Sequence, residues 1–474
     1  MTLLNEPPSP GQARSPGITY QELLDTDSRP ENVPPVLRWQ SYHFTGDTDV
    51  AVSRYTSREF HEVEKEKVWS RVWQMACRVD DIPSRGDTLV YDICGQSILL
   101  VRVTDGANNN GANTNGANAE ADDIKAYYNA CLHRGRQLRE TDGNATELRC
   151  SFHGFCWNLE GSLKQVPCEW DFPHIDKATW ALPEIKVGTW GGFVFINMDP
   201  DCESLESFLG SLPSHFEKWP LEKRYKSAHV ARVFHVNWKV VQEAFMEAFH
   251  VVATHPQLLA GIGDANSQYD FEGNFSRAIT PNGTPSPHLS FTPTEQEMFD
   301  AVSDRRLDEA PFLTLAEGMT ARSVTGAGGR MNLRNVLGDE ADLLSDAELS
   351  DSIYYTLFPN FHPWGAYNRI TYRFRPYGDN HEMAIMECMY LEPYDANKPK
   401  PPSVPIHWLG PDDDWTEAAE LGFLARVFNQ DTFNLPKVQV GLRSMKKPGI
   451  TLANYQETKL RHFHNLLNEW IAKP

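Results

Sequence analysis

The sequence predicts an α+β protein with two domains, a β-rich domain toward the N-terminus and a larger domain in which helices flank an antiparallel sheet. Three observations support this fold class. Short runs with strand-like composition occur in two separate groups, and segments with helical apolar spacing lie before, between and after them. The length of 474 residues also exceeds that of most single domains.

The N-terminal part of the chain contains an arm followed by a helical segment. Residues 1–55 are rich in Pro, Ser, Asp and Glu, which is typical of a loosely ordered arm that wraps the surface or a neighbour. Residues 56–85 form a helical segment that joins the larger domain, with a helix expected over 57–73. The apolar positions of that helix are Phe60, Val63, Val68 and Val72.

Residues 86–204 are predicted to form the first domain. Strand-like runs at 88–93 and 97–103 open it, and the apolar strand at 191–197 closes it. The stretch 104–123 is Asn-, Gly- and Ala-rich and of low complexity, so it lacks the apolar residues needed to bury a core. We expect a flexible loop between two strands.

Residues 205–474 are predicted to form the second domain. A helix is expected near 238–253, and the stretch 257–350 loses clear periodicity and fills with Gly, Pro, Ser and Asp. Such a stretch in a compact enzyme indicates loops over a site. Further strands are expected at 352–358, 366–375 and 382–391, and a terminal amphipathic helix at 454–470.

Cys131 and His133, followed after sixteen residues by Cys150 and His153, form a Cys-x-His and Cys-x-x-His pair. Two thiolates on one iron and two imidazoles on the other are the ligands of a Rieske-type [2Fe-2S] cluster, which transfers single electrons. Four such ligands can also hold zinc, but the order of the ligands and the glycines after the histidine positions favour the cluster. Residues 86–204 are therefore predicted to be a Rieske [2Fe-2S] domain.

A second group of ligand-type residues follows about a hundred residues downstream. His250 and His255 can supply the two imidazoles of a non-heme Fe(II) site. Without the upstream Cys/His motif, two such histidines would more often be ordinary residues of the core or the surface. On a helix Glu247 and His250 lie within about 60° of each other and can touch, whereas His255 lies about 140° from His250. Pro256 disfavours helical geometry at the residue before it, so we expect the helix to end or widen into a π-turn at Ala253 and Thr254.

With these residues the chain resembles the large (α) subunits of Rieske non-heme iron oxygenases over most of its length. By this resemblance Asp431 completes the iron ligands, and the second domain is a catalytic domain of the helix-grip type. Glu243 is left as either a partner of a ligand or a buried, hydrogen-bonded carboxylate. The motifs that carry the resemblance are Cys131-Leu132-His133-Arg134-Gly135, Cys150-Ser151-Phe152-His153-Gly154, Asn237-Trp238-Lys239 with His250 and His255, Leu357-Phe358-Pro359-Asn360, and Asn429-Gln430-Asp431 with Gln439 and Gly441.

The resemblance also implies an assembly. Family members pass electrons from the cluster of one subunit to the mononuclear iron of its neighbour through an acidic residue, which is Glu247 here, linking His250 to His153. A head-to-tail ring, a homotrimer, follows from that route. This chain has Glu where Asp is best known at the bridge, Ala244 in place of Asn, and Phe249 where Tyr is common.

The implied reaction is O₂-dependent oxidation of an organic, apolar or aromatic substrate, with electrons from a reductase or ferredoxin. Dihydroxylation, monooxygenation and dealkylation stay open, as does an accompanying β subunit. The alternative is an electron carrier or redox sensor without oxygenase activity, which would hold about two irons per chain instead of three. Candidate pocket residues are Met246, Phe249, Ala253, Leu258, Phe358, Phe361 and His362.

Composition restricts the other partners. A net charge of −20 argues against nucleic acid or an anionic membrane. The N-terminus lacks a signal-like pattern, and no apolar run of about 18 residues occurs, so we expect a cytoplasmic protein without membrane spans. Eight cysteines in a chain of this length do not indicate a disulfide framework.

Overall fold

Two large β-sheets organise the chain, which a computed structural model describes over residues 9–104, 123–303 and 313–474. The first eleven strands are β1 (Val50–Ala51), β2 (Gln74–Arg78), β3 (Asp87–Ile93), β4 (Gln96–Arg102), β5 (Ile124–Tyr128), β6 (Gly143–Asn144), β7 (Leu148–Arg149), β8 (Cys156–Trp157), β9 (Leu163–Gln165), β10 (Glu184–Trp190) and β11 (Phe193–Asn197). The others are β12 (Arg224–Phe234), β13 (Gln268–Glu272), β14 (Phe275–Thr280), β15 (Ser352–Leu357), β16 (Phe361–Pro363), β17 (Ile370–Tyr377), β18 (Asn380–Pro393), β19 (His407–Leu409) and β20 (Gly449–Ile450).

Helices cover the sheets and connect them. The α-helices are α1 (Tyr20–Asp25), α2 (Pro35–Arg38), α3 (Ser53–Thr56), α4 (Arg58–Glu64), α5 (Leu205–Leu209), α6 (Leu212–His215), α7 (Trp238–Glu243), α8 (Val251–Thr254), α9 (Glu295–Val302), α10 (Ala321–Leu337), α11 (Asp346–Ser350), α12 (Leu424–Ser444) and α13 (Thr458–Ala472). A π-helix at Lys65–Trp69 continues α4, so the helix predicted over 57–73 is present but shorter. The α+β fold class is confirmed.

The first sheet has seven strands in the order β2-β11-β10-β5-β4-β3-β6, and β7, β8 and β9 form a separate small sheet. The predicted strands at 88–93 and 97–103 are β3 and β4, paired antiparallel with Val90 opposite Leu99. The predicted loop 104–123 joins β4 to the adjacent antiparallel strand β5. Residues 105–122 of that loop lie outside the described residues.

The second sheet has eight strands in the order β13-β14-β15-β16-β17-β18-β12-β19. One face packs on the first domain, where Phe361 contacts Phe193 with ring centroids 4.6 Å apart, and where Arg373 donates to the carbonyl of Ala76. The opposite face packs on helices, since Phe245 beyond α7 lies 5.3 Å from Tyr372 on β17. The sheet therefore separates the first domain from the helical layer in which the predicted iron ligands lie.

The expectation that 257–350 consists of loops is wrong. This stretch contributes β13 and β14 to the second sheet, and it contains the 17-residue helix α10. The sequence does not predict this helix, because its apolar spacing is weak and interrupted by glycines. Gly326 is needed there, because a Cβ at this position would lie 2.1 Å from the Asp346 carboxylate of α11.

Residues 9–55 pack closely against the second domain. Leu24 and Leu37 are fully buried, and Arg277 donates to the backbone carbonyl of Val36. Strand β1 pairs with β20 near the C-terminus. The domain boundaries at 55, 85 and 204 stay predictions. All eight cysteines are free, and no helix among the described residues is both long and apolar enough to cross a bilayer.

Candidate metal centres

Two turns of the same construction present Cys131 and Cys150. In each turn the cysteine amide donates to a carbonyl five residues on, and its own carbonyl accepts from a glycine amide four residues on, all at 2.8–3.0 Å. Gly135 and Gly154 occupy these closing positions with φ of 74° and 80°. Glycine adopts this left-handed geometry without the penalty that a Cβ brings.

The environment of these residues fits an iron–sulfur cluster. Both thiols are buried, and the backbone amides two and three residues after each cysteine point at its sulfur. Burial opposes ionisation, but these amides lower the pKa of Cys150 below its usual range. The rings of His133 and His153 lie 4.7 Å apart. His133 Nδ1 is buried and has no hydrogen-bond partner among the described residues, so a ligand atom is available where the cluster needs one.

The surface around these turns carries large apolar side chains. Leu132, Phe152 and Trp170 are 36%, 57% and 81% exposed. Arg134 lies over the ring of Phe152 at 4.6 Å and reaches Nε2 of His153 at 2.8 Å. The cluster-ligand turns therefore lie at an exposed, partly apolar tip of the first domain.

The helix predicted over 238–253 is interrupted. Helix α7 ends at Glu243 and α8 begins at Val251, so Glu247 and His250 lie in the turn between two helices rather than on one helix. Their contact arises because Glu247 accepts a hydrogen bond from the backbone amide of His250 at 3.0 Å. Helix α8 ends at Thr254 without a π-turn. His255 leaves helical geometry with φ −127° and ψ 52°, which confirms the effect expected of Pro256.

His250, His255 and Asp431 converge, with one ligand atom from each lying within 4.8 Å of the others. Asp431 Oδ1 is 2.7 Å from His255 Nε2 and 3.4 Å from His250 Nε2. Helix α12 supplies Asp431 from a buried position, and one turn of helix separates the two histidines. Two imidazoles and one carboxylate on a common side are the donor set of non-heme Fe(II) sites.

The Nδ1 atoms of the two histidines, which do not face Asp431, are also hydrogen-bonded. His250 Nδ1 lies 2.7 Å from Glu247 Oε1, and His255 Nδ1 lies 2.7 Å from Gln430 Oε1. Both partners are acceptors, so each Nδ1 carries a hydrogen and each Nε2 can be a metal ligand. The donor set and its tautomers therefore fit a mononuclear iron ion.

The electrostatics of the triad reflect the carboxylates of Asp431 and the adjoining Glu247. Although burial alone would lower it, the carboxylates of Glu247 and Asp431 raise the pKa of His250 to about 10. Burial would raise the pKa of Asp431, but hydrogen bonds from His250 and His255 hold it below its usual range. In the absence of metal the site therefore retains protons that a bound cation displaces.

Glu243, whose role was open, is a buried hydrogen-bonded carboxylate. It accepts from the Tyr55 hydroxyl at 2.9 Å and lies 2.9 Å from His464 Nε2. No described contact joins it to a residue of the triad.

Four of the seven predicted pocket residues lie in the core or at the surface of the chain, and that any of the seven lines a substrate pocket stays a prediction. Phe361 packs between the two sheets, and the ring of Phe358 lies 5.4 Å from that of Phe463 of α13 in a tilted arrangement, so both are core residues. Phe249 lies in the turn before α8 and is 44% exposed. Ala253 lies within α8 and is also exposed.

The other three predicted pocket residues remain on the helix side of the sheet. Met246 and Leu258 are buried, and His362 lies 3.1 Å from Gln242 Oε1. Gln430 belongs to the Asn429-Gln430-Asp431 motif, but no local pattern in the sequence assigns it a role. Its partner His255 is 175 positions away in the chain, so only the fold brings the two together.

Fold and sites together define a protein with a Rieske [2Fe-2S] domain and a catalytic domain of the mononuclear-iron type. Family models agree: residues 72–176 match the Rieske [2Fe-2S] domain, and residues 214–473 match the ring hydroxylating alpha subunit (catalytic domain). The second match covers more than half of the chain. The protein belongs to the ring-hydroxylating alpha subunit family.

Curated relatives come from two reaction types. The chain is 29% identical over 229 residues to chlorobenzene dioxygenase subunit alpha of Cupriavidus sp. (strain PS12), which covers 46% of this chain and 47% of that protein. It is 28% identical over 226 residues to the carnitine monooxygenase oxygenase subunit of Escherichia coli (strain K12), covering 47% and 56%. The chain thus spans about half the length of the curated relatives it matches.

Solved structures share the fold over nearly the whole chain. A quaternary ammonium Rieske monooxygenase that oxidises carnitine superposes with a TM-score of 0.61 at 16% identity, covering 89% of this chain and 95% of the other. A naphthalene 1,2-dioxygenase variant bound to phenanthrene superposes with a TM-score of 0.60 at 18% identity, covering 91% and 94%. At these identities the likeness concerns the fold alone.

Proposed function

We propose that this protein is the terminal component of a Rieske non-heme iron oxygenase, which uses O₂ and externally supplied electrons to oxidise an organic substrate. The convergence of His250, His255 and Asp431 carries the proposal. An electron carrier or redox sensor needs the Cys/His ligands alone, and it has no use for a second donor set with matched tautomers.

Each residue of the centre has a defined task in this proposal. When bound, the cluster supplies single electrons, and the ferrous ion supplies open positions at which O₂ is reduced. Glu247 and Gln430 hold the Nδ1 hydrogens so that both Nε2 atoms face the metal position. The side chain of His250 is 26% exposed whereas those of His255 and Asp431 are 3% and 6% exposed, so the His250 side of the centre faces the surface of the single chain.

Aromatic side chains on the same side of the sheet support an apolar or aromatic substrate body. Trp364 is half-buried and lies 6.1 Å from Tyr372 and 5.3 Å from Tyr354. Phe245 is also half-buried and adjoins Tyr372. Aromatic faces also attract quaternary ammonium groups, so both substrate types named for the relatives belong in a screen.

The two centres of one chain are separated by the eight-stranded sheet, which supports an electron route between chains. No hydrogen bond, ion pair or ring contact among the described residues joins the cluster ligands to the triad. Apolar side chains are exposed both at the cluster tip and on α12, where Phe433 is 67% and Val440 58% exposed. We propose that these surfaces meet in a head-to-tail homotrimer, with Glu247 between His250 and His153 of the partner subunit.

Other partners follow from the reaction class. A reductase or ferredoxin supplies the electrons, and an accompanying β subunit is compatible with the family. Cytoplasmic location stays a prediction.

Metal analysis combined with an aerobic substrate screen tests the function. We expect about three irons per chain, two of them in the cluster. With an added reductase, a gain of both oxygen atoms indicates dihydroxylation, a gain of one indicates monooxygenation, and loss of a methylene equivalent indicates demethylation. Aromatic and quaternary ammonium compounds are screened in parallel by mass spectrometry.

Single variants connect that activity to the triad. His250→Ala should abolish turnover and remove about one iron per chain while the visible absorption of the cluster persists. His288→Ala, outside both centres, is the matched control and should retain turnover. Undiminished turnover by His250→Ala would exclude the oxygenase proposal.

A further inference from the structure

A chain of two glutamine side chains leads to one imidazole of the triad. Gln257 Nε2 donates to Gln430 Oε1 at 2.8 Å, and the same oxygen lies 2.7 Å from His255 Nδ1. Because Gln257 supplies a hydrogen to Gln430 Oε1, the amide presents an oxygen, and not an NH₂ group, to His255. An acceptor at this point requires a hydrogen on His255 Nδ1.

The two imidazoles of the triad are therefore supported differently. His250 Nδ1 faces the carboxylate of Glu247, whereas His255 Nδ1 faces the neutral amide of Gln430. A carboxylate behind an imidazole increases the basicity of the opposite nitrogen more than an amide does. The Nε2 atom of His250 is thus a stronger metal ligand than the Nε2 atom of His255.

The helix that carries Gln430 is fixed by its neighbour in the sequence. Asn429 Oδ1 accepts from the backbone amide of Trp415, and its Nδ2 donates to Asp414 at 2.6 Å. Asp431 follows on the buried side of α12. Three consecutive residues thus anchor the helix, orient one imidazole and supply the carboxylate ligand.

We infer that Gln430 is a positioning residue, which fixes the tautomer and ring orientation of His255 through a neutral acceptor and keeps the two imidazole ligands unequal. This inference rests on the proposed function, since it assigns a role toward the same metal. Gln257 acts through Gln430, because it holds the amide in the orientation that presents oxygen.

Cobalt binding tests the inference without measuring turnover. The mononuclear iron is removed with a mild chelator while the cluster absorption persists, and Co(II) is titrated while its visible spectrum is recorded. Gln430→Leu should weaken Co(II) binding by about 10- to 100-fold, as expected when an orienting partner of a ligand is lost. Gln257→Leu should weaken it less.

Rescue by a conservative variant separates positioning from general packing. Gln430→Glu restores an acceptor, so it should bind Co(II) within about threefold of the unsubstituted protein. It should also shift the Co(II) bands, since both imidazoles then face carboxylates. Packing alone would predict similar losses for Leu and Glu.

The outcomes distinguish this inference from the function on which it rests. If Asp431→Ala binds Co(II) as the unsubstituted protein does, the metal is not at the triad, and the proposed function fails. If Asp431→Ala loses binding but Gln430→Leu keeps the affinity and spectrum unchanged, only the role of Gln430 is overturned. Should Gln430→Leu fail to fold, an unshifted spectrum in Gln430→Glu overturns it equally.

Discussion

Carboxylates in the helix layer beside the triad differ in how their charge is compensated. Glu64 pairs with the buried Lys239 at 2.6 Å, and Glu247 pairs with His250. Glu457, at the start of α13, accepts from the backbone amide of Ala453 and lies near the negative charges of other glutamates. Burial, followed by repulsion from Glu247 and Glu243, raises the pKa of Glu457 to about 7.

This raised pKa predicts a pH-dependent stability. The folded state holds a proton on Glu457 that the unfolded state releases near pH 4.5, so stability from this residue falls as the pH rises from about 4.5 through about 7. Glu457→Gln removes this loss of unfolding free energy, which is at most about 3 kcal/mol above pH 7. In thermal melts its melting temperature should exceed that of the unsubstituted protein by a margin that grows from pH 5 to pH 8.

The exposed Glu469 on the same helix provides the control, since Glu469→Gln should show no growing margin. A margin for Glu457→Gln that is equal at every pH would contradict the assignment of the raised pKa.

At the scale of elements, the sequence predicts strands and helices correctly where apolar residues recur in a regular pattern. The strand-like runs that predict β3 and β4 were sufficient because both strands are largely buried: β4 is buried continuously from Ile98 to Arg102, and β3 buries Thr88, Tyr91 and Ile93. The spacing of Glu247 and His250 suggested a continuous helix, but the same proximity arises from a turn in which a carboxylate caps an amide. The sequence does not predict helix α10, because Gly326 and Gly329 serve close packing against α11, which is a tertiary effect.

The candidate site divides in the same way. Residue type and local spacing predict the Cys/His cluster ligands and the histidine pair, whereas Asp431 is predicted only from the resemblance to a family. Gln430 and the separation of the two centres by a sheet depend on contacts between distant parts of the chain, so no local pattern contains them.

The paired turns that hold the cysteines give a prediction at this scale. Gly135 and Gly154 have positive φ, so alanine at either position costs about 1–2 kcal/mol in backbone strain. A Cβ at Gly154 would also lie 3.2 Å from Pro167, whereas Gly135 has open space. Both alanine variants should reduce cluster content, measured as visible absorption per chain, and Gly154→Ala should lose more.

Gly273, in the hairpin between β13 and β14, is a matched control because it has φ 50° and open space. Gly273→Ala carries comparable strain and should keep a full cluster. Equal cluster content in all three variants would show that the turns do not depend on glycine.

At the scale of the whole molecule, the fold places its two metal-ligand sets on opposite sides of one sheet. The cluster ligands lie at the exposed tip of the first domain, and the triad lies among helices on the far face of the second sheet. In the proposed ring of chains, the tip of one protomer would meet the helix face of the next, and the apolar residues exposed at both places would be covered. The electron route between chains then exists only in the assembled ring.

Mixed oligomers test that property directly. His153→Ala removes a cluster ligand, and Asp431→Ala removes a ligand of the mononuclear site, so each variant alone should be inactive. If electrons pass between chains, co-expression in equal amounts should restore about a quarter of the normal activity, because a site works only when an intact triad adjoins an intact cluster in the next chain. Mixing His153→Ala with Cys150→Ser, which share one defect, should restore nothing. Mixed oligomers verified by mass spectrometry to contain both chains, yet inactive, would indicate a route within one chain and refute the ring.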